Sequence, residues 1–349
     1  MNYRLLGRSG LRVSQLCLGT MTFGTVDWGS AESDSAAIYR RYRDAGGNFL
    51  DTANEIYAEG RSEEYLGRLI AGHRDEVVLA TKFTLAVPGG RDANRGGNHR
   101  KSLKRSVEAS LKRLKTDHID LLWMHAWDGV TPVDELMRAL DDLVRQGKVL
   151  YLGASNTPAW VVAQCQTWAD ARALTPFVAL QCEYNLIERG VESDLLPMAQ
   201  HLDLTMLAWS PLASGILSGK YAVAQPGADA KRLDTFAFHK LDEHKQAIAA
   251  GLADVASQIG CSSPQAALAW LLDHAGVLPV LGARTLAQLD DNLAAVKVQL
   301  SSPQRQQLDA LSAPALLYPH GYLDQVKPLL YAGFHEQFAG LKGTSRNLC

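Results

Sequence analysis

Four residues whose side chains could together transfer a proton stand at the ends of apolar runs or just after them. Asp51 ends one run, Tyr57 follows it within one short loop, and Lys82 and His125 end two later runs. A lysine and an acid in apolar surroundings must pair or shift their pKa values, because neither charge is stable there alone. An ammonium group beside a phenol also lowers the pKa of the phenol. The set therefore predicts proton donation from Tyr57.

The other three residues would support that step. Asp51 would keep Lys82 charged and in place, and His125 could hydrogen-bond a carbonyl oxygen and stabilise the charge that develops there during reduction. None of these groups supplies a hydride, so the sequence must also provide a site for a reduced nicotinamide. Each residue has a structural interpretation as well: a turn cap for Asp51, a surface loop for Tyr57, a solvent-reaching amine for Lys82 and a hydrogen-bonded core histidine for His125. The functional interpretation depends on the four meeting at one place.

A repeated alternation of short apolar runs with helical segments predicts that meeting place. The predicted strands are residues 16–19, 49–51, 77–82, 119–125, 150–155, 178–184, 205–210 and 277–281. Eight β/α units favour a closed α/β fold, the (β/α)8 TIM barrel, over an open sheet, and no GxGxxG motif follows the first strand. Asp51, Lys82 and His125 then end the second, third and fourth strands, and Tyr57 lies on the second loop. All four are expected at the carboxyl-terminal rim of the barrel.

Capping residues and prolines predict where the helices between these strands begin. Ser62 is predicted to cap a helix over 63–70, next to two glutamates that suit the positive end of its dipole. A capping residue followed by proline predicts helix starts at Thr131-Pro132, Thr157-Pro158 and Ser263-Pro264.

The ends of the chain add two elements to the barrel. Residues 3–13 predict an N-terminal β-hairpin with a glycine-bearing turn. The chain is expected to be one domain, 1–349, with a core over 3–312 and an aromatic tail, 313–349, that folds over the barrel mouth. In that arrangement Tyr318 and Tyr322 could reach the pocket.

Composition restricts the class of partner. The chain has 349 residues, 47% of them hydrophobic, and a net charge of −2 from 35 Lys and Arg against 37 Asp and Glu. This balance provides no basic face for nucleic acid or an anionic membrane, so a small molecule is the expected partner. Five cysteines without a CxxC pair argue against a disulfide framework or a zinc site, and with no apolar leader they favour a cytoplasmic protein. No metal is predicted, and the oligomeric state is left open.

Residues at the later strand ends could bind a nicotinamide cofactor. Ser155-Asn156 and Gln181 are neutral groups suited to a carboxamide, and Trp209 could stack on a flat ring. Residues 214–220 resemble a phosphate loop but depart from GxxxxGK[ST]; we still interpret them as an anion cradle. Arg284, just before a helix, suits an added phosphate.

Taken together, these motifs match a known family: the chain resembles the aldo-keto reductases over residues 3 to about 312. Asp51, Tyr57, Lys82 and His125 match the catalytic tetrad of that family. The resemblance implies a barrel that binds NADPH across its mouth without a Rossmann domain and transfers hydride directly to a carbonyl carbon, with Tyr57 as the proton donor. The cofactor-binding positions that we infer are Thr20, Met21, Asp51, Ser155, Asn156, Gln181, Trp209, Ser210, Pro211, Leu212, Ser214, Gly215, Lys220, Gly282, Arg284, Gln288, Asp291 and Asn292.

The same resemblance bears on the choice of cofactor and on function. Gly282 and Ala283 stand where some branches of the family carry a lysine and a serine for the 2′-phosphate, which leaves Arg284 as the main charged partner. NADPH is expected, with NADH as the alternative. The potassium-channel β subunits are similar over 19–24 and 209–220 and act largely through partner binding, but their histidine position is commonly asparagine. His125 therefore favours an enzyme over a nicotinamide-binding sensor.

The expected substrate is a small carbonyl compound. The stretches 126–128 and 149–160 are most similar to the aryl-alcohol dehydrogenase-like group. An apolar mouth would prefer aromatic aldehydes or ketones, and its predicted lining is Phe23, Trp28, Tyr57, Phe83, His125 and Trp127. These rings could equally be ordinary barrel and loop packing. A barrel that uses Lys82 as a Schiff-base nucleophile is a third function, against which the cofactor pattern argues.

Overall fold

The protein is a closed eight-stranded parallel barrel surrounded by helices, as the sequence predicts. A computed structural model describes residues 1–89, 91–219, 241–315 and 317–334. The barrel strands, β3 to β10 in chain order, are Cys17–Gly19, Phe49–Asp51, Val78–Phe83, Ile119–Met124, Val149–Ser155, Phe177–Glu183, Thr205–Trp209 and Val277–Leu281. Neighbours along the chain pair in parallel, and β10 closes the ring by pairing with both β9 and β3. Every predicted strand lies within one residue of its observed ends.

Helices cover the outside of the barrel. Within the described residues, α1 to α10 are Glu32–Asp44, Arg61–Leu69, Arg100–Leu114, Val133–Arg145, Ala159–Arg172, Leu195–His201, Glu243–Ile259, Ser263–Leu272, Leu286–Ala294 and Ser302–Leu311. Side chains alternate along each strand between the barrel interior and this outer layer. On β5, Phe83 packs outward against Leu103 and Val107 of α3, whereas Lys82 points inward. The alternation determines which residues of a strand end can reach the barrel mouth.

A hairpin closes the end of the barrel opposite the mouth. Its strands, β1 (Tyr3–Leu5) and β2 (Arg12–Ser14), pair antiparallel, as predicted. Leu6 and Val13 pack in one cluster with interior barrel residues, among them Phe49. The N–H of Gly7 donates to Thr205 Oγ1 at 2.7 Å. Access to the barrel interior is therefore left at the carboxyl-terminal rim.

Several predicted helix starts are displaced by one or two residues. Ser62 does not cap α2, which begins at Arg61; its hydroxyl instead donates to Thr20 O at 2.8 Å. Thr131 and Thr157 also fail to cap their helices, because their hydroxyls donate to Asp128 Oδ2 and to Ser155 O, which precede them in the chain. The cap of α8 is Ser262, whose side chain accepts from Gln265 N, and not Ser263. In each case a loop contact or a neighbouring serine competes successfully for the capping role.

The described part of the tail contacts the residue that precedes α6. It forms two short helices, α11 (His320–Gln325) and α12 (Lys327–Leu330), and His320 Nε2 lies 3.1 Å from Asp194 Oδ1. Tyr318 and Tyr322 are exposed. Neither lines the cavity described below, so the prediction that they reach the pocket is wrong. Residues 335–349 of the predicted tail lie outside the described residues.

Candidate active site

The barrel brings the four predicted catalytic residues to one rim. Asp51 ends β4, Lys82 is the penultimate residue of β5, His125 directly follows β6, and Tyr57 lies on the loop between β4 and α2. The parallel registers pair Asp51 with Ala80 and Lys82 with Trp123, which places these strand ends side by side. Residues separated by tens of positions in the sequence therefore meet because adjacent parallel strands end at the same edge.

Asp51 and Lys82 form a buried ion pair at the bottom of the site. Lys82 Nζ donates to Asp51 Oδ2 at 2.5 Å and to Thr52 O at 2.7 Å, and the two side chains are 1% and 4% exposed. Gln181 Nε2 donates to the other carboxylate oxygen at 2.9 Å. Burial acts to lower the pKa of Lys82, but the charge and hydrogen bond of Asp51 outweigh it and raise that pKa. Lys82 therefore remains an ammonium ion.

Tyr57 lies above this pair and beside His125. The Lys82 Nζ atom is 5.2 Å from the centre of the Tyr57 ring, and the rings of Tyr57 and His125 meet edge to face with centres 6.2 Å apart. Burial raises the pKa of Tyr57, and the charge and hydrogen bond of Lys82 oppose this rise without cancelling it. The prediction of a lowered phenol pKa is therefore wrong for the free protein, because burial outweighs the ammonium. Tyr57 remains a protonated acid at neutral pH.

His125 is a neutral imidazole. Burial first, and the charge of Lys82 second, lower its pKa to about 3. Its Nδ1 atom is buried and has no hydrogen-bond partner among the described residues. An orphaned buried N–H is rarer in proteins than an orphaned acceptor, so we assign the proton to Nε2. Nε2 is then the nitrogen able to donate to a ligand.

Polar groups of the next strands form a connected network beside the tetrad. Asn156 Nδ2 donates to His125 O at 2.9 Å and to Ser155 Oγ at 3.0 Å. Trp209 Nε1 donates to Asn156 Oδ1 at 3.1 Å. Gln181 belongs to the same rim through its bond to Asp51. These bonds hold the predicted carboxamide-binding groups and the predicted stacking ring next to the catalytic residues.

A single cavity of about 840 Å³ joins these groups to the loops that follow β9 and β10. Its lining includes Asp51, Tyr57 and His125, whereas Lys82 lies beneath it. Lys220 falls outside the described residues. All the other predicted cofactor positions line the cavity, namely Thr20, Met21, Asp51, Ser155, Asn156, Gln181, Trp209, Ser210, Pro211, Leu212, Ser214, Gly215, Gly282, Arg284, Gln288, Asp291 and Asn292. A second cavity, of about 670 Å³, lies at the hairpin end and includes none of the tetrad.

Comparison with known proteins identifies the family. The sequence profile of the Aldo/keto reductase family matches residues 15–313. This chain belongs to that family. It is 40% identical over 312 residues to norsolorinic acid reductase stcV of Emericella nidulans, an alignment that covers 86% of this chain and 79% of that protein. It is 39% identical to the uncharacterized oxidoreductase YrpG of Bacillus subtilis, and that alignment covers 92% of this chain and 99% of YrpG. It is 36% identical to the putative aryl-alcohol dehydrogenase AAD14 of Saccharomyces cerevisiae, and that alignment covers 88% of this chain and 86% of AAD14.

Family membership establishes the class of reaction. The protein is an NAD(P)H-dependent oxidoreductase, and its reductase relatives imply small carbonyl compounds as substrates. None of the helices that the structure describes is both long and apolar enough to cross a membrane. The same described residues contain no group of three or more metal-ligating side chains.

In this reductase, the far end of the cavity is built around Arg284. Gln288 Oε1 accepts from Arg284 N at 2.9 Å, and Asn292 Nδ2 donates to Gly282 O at 3.2 Å. Asp291 accepts from Ser262 Oγ at 2.9 Å and from Gln265 Nε2 at 2.6 Å. Gln288 and Asn292 thus hold the loop between β10 and α9 in place, and Asp291 connects α9 to the start of α8. Arg284 is the cationic side chain that this loop contributes to the cavity.

The predicted aromatic mouth is corrected by the structure. Phe23 and Phe83 have no exposed surface and lie in the packing layer between barrel and helices. Trp28 is also buried, and Trp127 packs against the larger core cluster. None of these four rings lines the cavity, in contrast to Tyr57 and His125. Phe83 follows Lys82 directly on a strand, so the two side chains must point to opposite faces.

Sequence reasoning missed several residues of the reductase cavity. Ile56 and Leu85 line it near Tyr57 and His125, and Glu183 lines it at the end of β8. The signal for Ile56 was its position beside Tyr57 on a loop at the rim. Leu85 could have been inferred from the polar strand end before it, since the chain there leaves β5 at the barrel mouth. These residues replace the aromatic set as the observed walls beside the tetrad.

The depressed pKa of His125 predicts a pH dependence of stability. In the unfolded chain a histidine takes up a proton below its ordinary value of 6.5, whereas in the folded protein it does so only near 3. Stability from this group is therefore complete above about pH 6.5 and is lost as the pH falls towards 3. Between pH 7 and pH 5 the wild type should lose roughly 1–2 kcal/mol more unfolding free energy than a His125→Asn variant.

Urea denaturation of both proteins at several pH values measures this difference. The other histidines are common to both proteins and cancel in the subtraction. Parallel curves for the two proteins would contradict a neutral His125 with a lowered pKa in the folded protein.

Proposed function

We propose that this protein is an NADPH-dependent reductase of apolar, preferably aromatic, aldehydes and ketones, with Tyr57 as the proton donor. The observation that carries the proposal is that a protonated phenol, an ammonium ion and a neutral imidazole converge at one cavity that also contains the predicted cofactor residues. The reaction adds a hydride to the carbonyl carbon and a proton to the carbonyl oxygen, which yields an alcohol and the oxidised cofactor.

Tyr57 has the properties of a general acid for this step. Its raised pKa keeps the proton in place until the carbonyl oxygen gains negative charge and becomes a stronger base. Lys82, 5.2 Å from the ring, then stabilises the phenolate that forms. Asp51 maintains the charge and the position of Lys82. The buried ion pair thus favours loss of the proton by stabilising the negative charge that develops on the phenol, although burial keeps the pKa raised.

His125 has the properties of an orienting donor. Because the imidazole is neutral and its Nδ1 atom is buried, Nε2–H is the group able to hydrogen-bond a carbonyl oxygen. A neutral donor polarises the carbonyl without competing with Tyr57 for the role of acid. The two rings meet edge to face with centres 6.2 Å apart, which supports a shared contact of both side chains with one carbonyl oxygen.

The residues that line the cavity are of the types that would bind nicotinamide adenine dinucleotide phosphate. When bound, this cofactor supplies the hydride. Ser155, Asn156 and Gln181 would hold its carboxamide, and Trp209 would provide a flat surface for the nicotinamide ring. In the described structure Gln181 donates through Nε2 to Asp51, and its carbonyl oxygen is the group that would accept from an amide N–H. Arg284, with the residues after β9, would meet the phosphates.

Apolar walls support a preference for aromatic substrates. Ile56 and Leu85 flank Tyr57 and His125, and both belong to loops at the mouth of the barrel. Hydrophobic walls with few polar groups are typical of sites that bind apolar ligands. The relatives named norsolorinic acid reductase and aryl-alcohol dehydrogenase agree with this inference.

Consumption of the cofactor tests the proposal. We expect turnover of NADPH with 4-nitrobenzaldehyde, one alcohol formed for each NADPH consumed, and a higher kcat/KM than with a short aliphatic aldehyde. NADH in place of NADPH tests the cofactor preference. Tight NADPH binding without turnover of any aldehyde or ketone would contradict the proposed reaction.

An Arg284→Ala variant tests the proposed phosphate contact. Loss of one charged hydrogen-bond partner should raise the KM for NADPH by roughly 10- to 100-fold, because bonds to charged groups contribute about 1.5–3 kcal/mol. The KM for NADH, which lacks the 2′-phosphate, should change little. Equal increases for both cofactors would contradict recognition of the 2′-phosphate by Arg284 and indicate a general disturbance of the loop.

A further inference from the structure

We propose that Asn54 is a positioning residue that holds the proton donor Tyr57 and the cavity wall residue Leu85 in a fixed relation to Lys82. The inference rests on the proposed role of Tyr57. Asn54 lies between Asp51 and Tyr57 on the loop after β4 and is 5% exposed. It does not line the cavity, so it would act through the residues that it holds.

The backbone of Asn54 connects Tyr57 to the strand that carries Lys82. Asn54 N donates to Lys82 O at 3.3 Å, and Tyr57 N donates to Asn54 O at 3.1 Å. A chain of two hydrogen bonds therefore runs from the backbone of the ammonium-bearing residue to that of the phenol-bearing residue. Displacement of Asn54 would change the distance and orientation between the Lys82 ammonium and the Tyr57 phenol, on which the proposed proton donation depends.

The side chain of Asn54 connects the same turn to the loop after β5 and to α3. Its Nδ2 atom donates to Leu85 O at 2.8 Å and to Ser106 Oγ of α3 at 3.2 Å. Its Oδ1 atom accepts from Ile56 N at 3.4 Å. Ile56 and Leu85 are both apolar residues of the cavity wall. One amide thus fixes both of them.

This role requires a short side chain with both a donor and an acceptor. Asparagine uses its amide N–H groups towards Leu85 and Ser106 and its oxygen towards Ile56. Aspartate has nearly the same shape but has no donor when ionised, so it would place a carboxylate against Leu85 O. Alanine would leave the backbone bonds and remove all three side-chain bonds. The two substitutions therefore separate the effect of shape from that of hydrogen bonding.

Both loops that Asn54 connects contain backbone in an unfavourable conformation, which its hydrogen bonds would help to maintain. Thr84, directly before Leu85, has φ +94°, which is unfavourable for a β-branched residue. Ala58 and Glu59, directly after Tyr57, have φ +53° and +59°. Such conformations persist only where surrounding contacts determine them. The bonds of Asn54 lie between these two strained segments.

Enzyme kinetics of the full-length variants test the inference. In Asn54→Asp, kcat/KM for 4-nitrobenzaldehyde should fall about 100-fold, the scale expected when reacting groups are misplaced by about 1 Å. The fall for propanal, which needs less of the apolar wall, should be nearer tenfold. The Kd for NADPH, measured by fluorescence, should stay within about twofold of wild type, because Asn54 does not line the cavity. In Asn54→Ala, kcat/KM should again fall more for 4-nitrobenzaldehyde than for propanal, but both falls should be smaller than in Asn54→Asp.

Asn48 provides a matched control at the other end of the barrel. Its Oδ1 atom accepts from Ser14 N at 2.7 Å and its Nδ2 atom donates to Arg12 O at 3.0 Å, so it also connects segments through both ends of its amide. Asn48→Asp should lower the unfolding midpoint without changing either kcat/KM. If Asn54→Asp lowers stability like Asn48→Asp and leaves the ratio of the two kcat/KM values unchanged, the role of Asn54 is structural only and the inference is overturned.

Tyr57→Phe, assayed in parallel, separates the inference from the proposed function. Loss of activity in Tyr57→Phe together with wild-type kinetics in Asn54→Asp would overturn the role of Asn54 alone. Wild-type activity in Tyr57→Phe would overturn the proton-donor role and, with it, the basis of this inference.

Discussion

The Tyr57→Phe variant is expected to bind NADPH like the wild type and to reduce carbonyl compounds roughly 10²- to 10⁴-fold more slowly, the usual contribution of a positioned general acid. The substitution removes one oxygen atom and keeps the ring beside His125 and above Lys82. The carbonyl oxygen would then have to obtain its proton from water. Because the lost interaction exists mainly in the transition state, kcat should fall and KM should change little.

Stopped-flow measurement of NADPH oxidation in a single turnover checks this prediction without interference from cofactor release. Tyr65→Phe is a suitable control, since Tyr65 lies on α2 and does not line the cavity. It should leave the rate unchanged. A Tyr57→Phe rate within a factor of a few of wild type would exclude the phenol as the proton donor.

Much of the fold could be predicted because each barrel strand corresponds to a short apolar run, and these runs recur at regular intervals in the sequence. A parallel strand covered on both faces must be apolar throughout, and β6, Ile119–Met124, shows this pattern with only Asp120 as a polar exception. Asp51, Lys82 and His125 were recognisable for the converse reason. They interrupt such runs where the strand ends, and a polar group there must have a partner.

The parts of the site that could not be predicted depend on which side of an element a residue occupies and on competing contacts. Phe83 is apolar and adjacent to Lys82, but it points into the outer packing layer. Ser62 has the sequence context of a helix cap, yet its hydroxyl is within hydrogen-bonding distance of Thr20 and Thr52. These contacts are made across 42 and 10 residues of chain and have no local signature.

The pKa of Tyr57 illustrates a further limit. The sequence indicates an ammonium group near the phenol, and this effect is present in the structure. It does not indicate how much solvent the phenol loses, and burial is the larger effect. The sign of a pKa shift in such a site is a balance between distance to a charge and loss of solvent, and only the folded geometry supplies both.

The Lys82→Met variant is expected to lose both catalysis and a large part of its stability. Lys82 is fully buried, and its removal leaves the Asp51 carboxylate buried with Gln181 Nε2 as its one remaining side-chain donor among the described residues. Breaking a buried ion pair from one side typically costs about 3–5 kcal/mol, because the other charge remains without compensation. The phenolate of Tyr57 would also lose its stabilising cation, so kcat should fall by a factor comparable to that in Tyr57→Phe. Urea denaturation and the single-turnover rate measure the two effects separately.

The double variant Asp51→Asn with Lys82→Met distinguishes these effects within one protein. Removing both charges eliminates the uncompensated carboxylate, so a large part of the lost unfolding free energy should return, since replacing a buried pair as a unit is often nearly neutral. Activity should not return, because the cation that stabilises the phenolate is still missing. Recovery of both properties would mean that Lys82 contributes to catalysis only by neutralising Asp51. Recovery of neither would mean that the pair is required for the barrel rim to form, whereas recovery of stability alone would establish the ammonium ion as part of the acid.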